Sequence, residues 1–133
     1  MLRLALQLEV LPDEFSLVQL SPDSDLPEWA ENASFCSVTR TPDEISIVIP
    51  ETSVPKGVIA ERGWRCLRVK GTLGFDLTGV LAALSTPLAQ AGISLFVVST
   101  YNTDYLLVKS ASLEKSLQVL KGSGHTVVPG PSC

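Results

Sequence analysis

Six consecutive residues, Ser99-Thr100-Tyr101-Asn102-Thr103-Asp104, join two apolar runs. A hairpin turn takes about two to five residues and often a glycine. This segment has six polar-capable positions, no glycine and a carboxylate at its far edge. It reads as a turn or as one wall of a pocket, and Asp104 as a ligand group or as an acid closing the turn through its own backbone. The other reactive side chains are less promising. Cys66 lies beside Arg65 and near Arg68, which can lower a thiol pKa, but it sits in a strand without a base and reads as a buried structural thiol. His125 follows Gly-Ser-Gly with no sequence-near partner and reads as a surface histidine at a strand start. Asp43 and Glu44 are neighbours, and neighbours on a strand point to opposite faces. They read as a turn rather than a catalytic pair. There is no phosphate-binding glycine loop, no nucleophile elbow and no metal-ligand spacing. The chain reads as a non-enzyme, with no metal and no cofactor.

With 133 residues, one domain or two very small ones are expected. Hydrophobic residues make up 45% and charged residues 18%, enough for a core and too few charges for disorder. The net charge of −4 argues against nucleic-acid and anionic-membrane partners, which call for basic surfaces. Cys36, Cys66 and Cys133 are odd in number and far apart, so no disulfide framework or zinc site is read. The N-terminal run alternates at Leu4, Leu6, Leu8 and Val10, which fits a strand better than a signal peptide. No window approaches transmembrane length. A soluble, cytoplasmic protein is expected.

The elements that would position these groups follow from periodicity. Strands are expected at 3–10, 15–20, 35–39 and 44–49, with a turn at 11–14 and a single helical turn at 28–31 behind Pro27. A short helix is expected around 58–61, broken by Gly63, then a strand over 64–69. Arg62, Arg65, Arg68 and Lys70 read as a mildly basic edge. Leu77, Val80, Leu81, Leu84, Leu88 and Ala91 form a helical stripe. Asp76 is its expected N-cap and Gly92 its C′ residue, with a kink or break near Thr86 because of Pro87. Strands over 93–98 and 105–108 follow, then a helix capped by Ser112 and a last strand over 125–128. From Trp64 onward the order is strand, helix, strand, strand, helix, strand, the ferredoxin-like arrangement. Residues 39–48 and 99–108 echo each other at a spacing of 60: a hydroxyl, a turn, an acid, then alternating apolar residues. The echo suggests a duplication in which both helices of the first copy shrink to about one turn.

The run Gly71-Thr72-Leu73-Gly74-Phe75-Asp76-Leu77-Thr78-Gly79-Val80-Leu81-Ala82-Ala83-Leu84, with Pro87-Leu88-Ala89, Gly92-Ile93-Ser94 and the 99–105 segment, resembles ACT domains of the CASTOR type. Upstream, residues 35–48 and 63–67 resemble the small bacterial tandem-ACT proteins of that type. The resemblance covers about residues 10–128. It implies an α+β fold of two ferredoxin-like βαββαβ units with antiparallel sheets, an N-terminal unit over 1–62 and a C-terminal one over 63–133. It also implies a regulatory or sensor protein holding a small molecule, typically an amino acid, at an interface between ACT units. A homodimer is expected by analogy. The ligand-contacting positions it implies are Gly74, Phe75, Asp76, Leu77, Thr78, Gly79 and Val80, with Ser99, Thr100, Thr103 and Asp104.

Physical complementarity fits this implication. A zwitterion needs donors for its carboxylate and acceptors for its ammonium. The amides of Leu77, Thr78, Gly79 and Val80, opening the long helix, would be the donors. Gly79 would allow close approach, and Asp104 would face the ammonium. Each group has a plainer reading: Asp76 as an N-cap, Thr78 as a solvated hydroxyl, Gly79 as a close-packing site. The arginine-sensing relatives pair a cationic side chain with acids near this helix start, where Leu77 stands, so the implied ligand class is an amino acid without a preference for arginine. The alternative is a ligand-free interaction module that dimerises through its sheets.

Overall fold

Alternation carries the first strand well past its expected turn. The computed structural model describes residues 4–71 and 78–130. In it, β1 runs unbroken over Gln7–Leu20, where two strands and a turn at 11–14 were expected. Gln7 to Val10 pair in parallel with β7 (Thr126–Pro129), and Phe15 to Leu20 pair antiparallel with β3 (Ile45–Pro50). Pro12 falls between these two paired stretches, where its missing N–H removes none of their ladder bonds. The remaining strands are β2 (Ser37–Arg40), β4 (Ala60–Val69), β5 (Phe96–Ser99) and β6 (Asp104–Lys109). The helices are α1 (Glu28–Glu31), α2 (Val80–Gln90) and α3 (Leu113–Gly122).

Two compact units emerge, Asp13–Trp64 and a second made of Met1–Pro12 with Arg65–Cys133. Residues 4–12 therefore group with the C-terminal segment rather than with residues up to 62, because β1 begins as the partner of β7. The larger unit has the strand order β7-β1-β4-β6-β5. From β4 its chain order is strand, helix, strand, strand, helix, strand, the ferredoxin-like order expected, with β1 added between β7 and β4. Its core joins Leu8, Leu67, Val69, Leu106 and Val108 of the strands to Val80, Leu84 and Leu88 of α2 and Leu120 of α3. The smaller unit has the order β2-β3-β1-β4. Its core is Val18, Ala30, Ile45, Ile47, Ile49 and Val54. Its helical content is the four-residue α1 and one 3-10 turn, Glu51–Ser53.

Three local expectations are corrected. Residues 58–61 form no helix: β4 starts at Ala60 and passes through Gly63 at φ 81°. The Gly63 N–H donates to Glu51 Oε1 at 3.1 Å, so the glycine is a supported irregularity within a strand rather than a breaker. Arg65 and Arg68 are not on an edge, since in the larger unit β4 lies between β1 and β6. Arg65 donates to the Leu11 carbonyl at 3.1 Å, and Arg68 pairs with Glu9 at 3.4 Å. Ser112 makes no side-chain cap to α3; a 3-10 turn, Ser110–Ser112, leads into that helix.

Candidate functional site

The opening of α2 lies later than the apolar stripe suggests. Gly79 is the N-cap residue, in the left-handed region at φ 81°, and the first intrahelical bond runs from the Ala83 N–H to the Gly79 carbonyl at 2.9 Å. The first-turn amides left without helical partners are thus those of Val80, Leu81 and Ala82. The Thr78 and Gly79 amides expected in that role precede the helix. A Cβ at Gly79 would meet only Leu4 Cδ1, at 3.7 Å, an ordinary contact. Backbone conformation, not close packing, is what demands glycine here. Gly74, Phe75, Asp76 and Leu77 lie outside the described residues. Thr78 and Gly79 are exposed, and Val80 is buried in the core.

The 99–104 segment folds as a tight turn. The Thr100 N–H donates to the Thr103 carbonyl at 2.8 Å, and the Thr100 hydroxyl reaches the same oxygen at 3.0 Å. Ser99 and Asp104 face each other as the last ladder pair. Thr103 is buried, and its Oγ1 donates to the Val69 carbonyl at 2.7 Å. That bond fastens the turn to the end of β4, from which the chain leaves for α2. Ser99 and Thr100 are exposed and Asp104 is half-buried. Strand alternation places Asp104 on the same side of β6 as Leu106 and Val108, the side packed against the helices.

Among the described residues a groove of about 640 Å³ opens beside α2. Thr78 and Gly79 line it together with Thr86, Gln90, Ser123 and His125. None of Ser99, Thr100, Thr103 or Asp104 does, so the two expected walls do not share this groove.

His125 is the residue that sequence reasoning placed wrongly. It is 4% exposed rather than on the surface. Its Nδ1 accepts the Leu6 N–H at 3.1 Å, and its Nε2 lies 3.1 Å from the Ala83 carbonyl. Pro87 explains the second contact. Position 87 is four after Ala83, where an α-helix would supply an N–H to that carbonyl and proline cannot. The imidazole stands in for the missing donor, and α2 runs through Pro87 without the break expected near Thr86. A proline inside an apolar helical stripe was the available signal that some polar group had to reach the carbonyl four residues before it. Cys66 is fully buried, as expected, and burial pushes its thiol up to about 12. Among the described residues no group of three metal-ligating side chains occurs, and no helix is long and apolar enough to cross a membrane.

A βαββαβ unit with one added strand, two helices on its sheet and a threonine-rich turn fastened to the end of β4 defines a ferredoxin-like α+β module. The regulatory subunit of aspartate kinase from Thermus flavus shares the fold, with a TM-score of 0.60 at 10% identity over 92% of this chain and 99% of that one. Residues 59–122 match the ACT domain, and residues 13–57 match a separate N-terminal domain family. The chain belongs to the ACT-domain family and is of the CASTOR type. A crystallised protein from Agobacterium tumefaciens is 36% identical, with a TM-score of 0.90 over 97% of this chain and 96% of that one. The cytosolic arginine sensor for mTORC1 subunit 1 of Homo sapiens is 41% identical over 59 residues. That match takes in 44% of this chain and only 18% of the sensor's length.

Proposed function

We propose that the protein is a small-molecule sensor that binds an amino acid where the 74–80 segment meets the 99–104 turn, and that occupancy regulates a partner. The observation that carries this reading is the Thr103 Oγ1 bond to the Val69 carbonyl. It ties the acidic turn to the end of β4, the last strand before α2, in a chain related to a protein named an arginine sensor. The first-turn amides of Val80, Leu81 and Ala82 receive the ligand carboxylate, aided by the positive end of the helix. Asp104 receives the ammonium. Ser99 and Thr100 form the exposed rim, and Gly74, Phe75, Asp76 and Leu77 keep the contact role that the family resemblance gives them. A shielded charge-assisted hydrogen bond contributes about 1.5–3 kcal/mol. Two or three support roughly micromolar to millimolar affinity once the entropy of association is subtracted. The protein acts without catalysis, as a cytoplasmic homodimer.

A thermal-unfolding screen against the twenty amino acids tests this. One ligand at about a hundred times its Kd adds roughly 2.7 kcal/mol of stability. Asp104→Asn weakens that ligand at least about tenfold, equivalent to about 1.4 kcal/mol, while leaving the unliganded midpoint in place. No response to any amino acid would favour the rival reading, a ligand-free module that dimerises through its sheets. That reading draws on the internal engagement of the Thr100 and Thr103 hydroxyls.

A further inference from the structure

His125 is the chain's single histidine, and both ring nitrogens are committed to backbone groups of different segments. The Leu6 N–H donates to Nδ1, so Nδ1 carries no proton. The proton then sits on Nε2 and is donated to the Ala83 carbonyl. Only the neutral Nε2–H tautomer satisfies both contacts, because the charged ring has two donors and no acceptor. The described residues that line the groove with the ring carry no counter-charge: Leu4 before β1, Ala82, Thr86 and Gln90 from α2, and Gly122 and Ser123 at the end of α3 are all uncharged. Lys121, the basic residue in the last turn of α3, is exposed to solvent.

We propose that His125 is a proton-sensitive latch, closed when neutral, that fastens the segment entering β1 and the start of β7 to the middle of α2. A second ring proton goes on Nδ1 and sets an N–H against the Leu6 N–H. One of these donors has to move, and no carboxylate lines the groove among the described residues to take up the charge. The groove beside the ring supplies the way out, since water can solvate the imidazolium there. Release of the ring unpairs the Leu6 N–H and the Ala83 carbonyl together. Pro87 makes the second loss consequential, because α2 has no N–H of its own for that carbonyl. Acid therefore loosens α2 through its middle. The latch stands on these bonds alone and holds whether or not an amino acid binds at the helix opening.

The test compares the full chain with His125→Gln, whose amide can accept and donate at the same two places without titrating. Unfolding midpoints are measured from about pH 8 to pH 5, the span in which histidine charge can change. The wild type loses midpoint on acidification, and His125→Gln loses much less, since carboxylate effects are common to both. In parallel, NMR on the wild type follows the single imidazole and the Leu6 amide. Ring protonation brings a loss of protection at Leu6, a readout that does not depend on the variant folding. Parallel pH curves for the two proteins, or a ring that takes its second proton with Leu6 protection unchanged, would overturn the proposal.

Discussion

The substitution of an imidazole for a missing helix amide can be measured by a double-mutant cycle between Pro87 and His125. Pro87→Ala restores an N–H four residues after Ala83. A proline in a helix interior is about 3 kcal/mol worse than alanine. Here part of that penalty is already offset, because His125 Nε2 reaches the orphaned carbonyl at 3.1 Å. Proline also stiffens the unfolded chain by about 0.4–1 kcal/mol. Pro87→Ala alone should therefore stabilise by only about 1–2 kcal/mol. His125→Ala alone leaves the Leu6 N–H and the Ala83 carbonyl unpaired, at about 1–3 kcal/mol each. The adjoining groove admits water, which keeps each loss near the low end, so about 2–4 kcal/mol in total. In the double variant the restored amide at position 87 takes over the Ala83 carbonyl, and the combined loss falls short of the sum by about 1–2 kcal/mol. Urea unfolding of the four proteins, followed by fluorescence of the two tryptophans, gives the four stabilities if the slopes agree. Additivity within about 0.5 kcal/mol would refute the compensation argument.

Two further outcomes follow from the buried groups. Thr103→Val keeps the side-chain size but removes the 2.7 Å bond to the Val69 carbonyl. It should cost about 1–2 kcal/mol in urea unfolding, and a cost within error of zero would mean that this bond does not anchor the turn. Cys66, with its thiol raised from 9.0 to about 12, stays protonated in the native state while the unfolded chain ionises. The stability it contributes is complete below about pH 9 and is lost as pH climbs toward 12, at up to about 1.4 kcal/mol per pH unit. Cys66→Ala should flatten that alkaline decline, and an unchanged slope would place its origin elsewhere.

The fold was largely legible because period and punctuation agree over the second half of the chain. Leu84 and Leu88 of α2 lie with Leu106 and Val108 of β6 in one core, as the helical and strand patterns require. Gly92 at φ 74° ends α2 where expected, with the Ile93 N–H returning to the Leu88 carbonyl at 3.0 Å. The failures came where a tertiary partner overrides a local signal. Pro12 and Gly63 read as breaks, yet each is absorbed in a strand by its surroundings. Pro87 reads as a kink or a break, yet α2 is unbroken there, and a residue 38 positions later answers the carbonyl the proline strands. No local rule names that partner. His125 was misplaced for the same reason: its two partners lie 119 and 42 residues away in sequence.

The internal echo was also read one residue out of step, and the slip bears on the site. The spacing of 60 equates Glu44 with Asp104, acid with acid. The hydrogen bonds equate different residues. The Thr41 N–H donates to the Glu44 carbonyl at 2.9 Å as the Thr100 N–H does to that of Thr103, and Arg40 pairs with Ile45 as Ser99 pairs with Asp104. The structural spacing is 59, and in a strand a one-residue slip exchanges the two faces. Asp104 therefore corresponds to Ile45, not Glu44. Ile45 is fully buried in the core of its unit. In the other unit the equivalent place, on the helix-facing side of the strand and beside the turn that Thr103 ties to β4, holds a carboxylate. An acid on the outer face would need no explanation beyond solubility. Asp104 is half-buried there, and it is the carboxylate to which the proposed ligand ammonium is assigned.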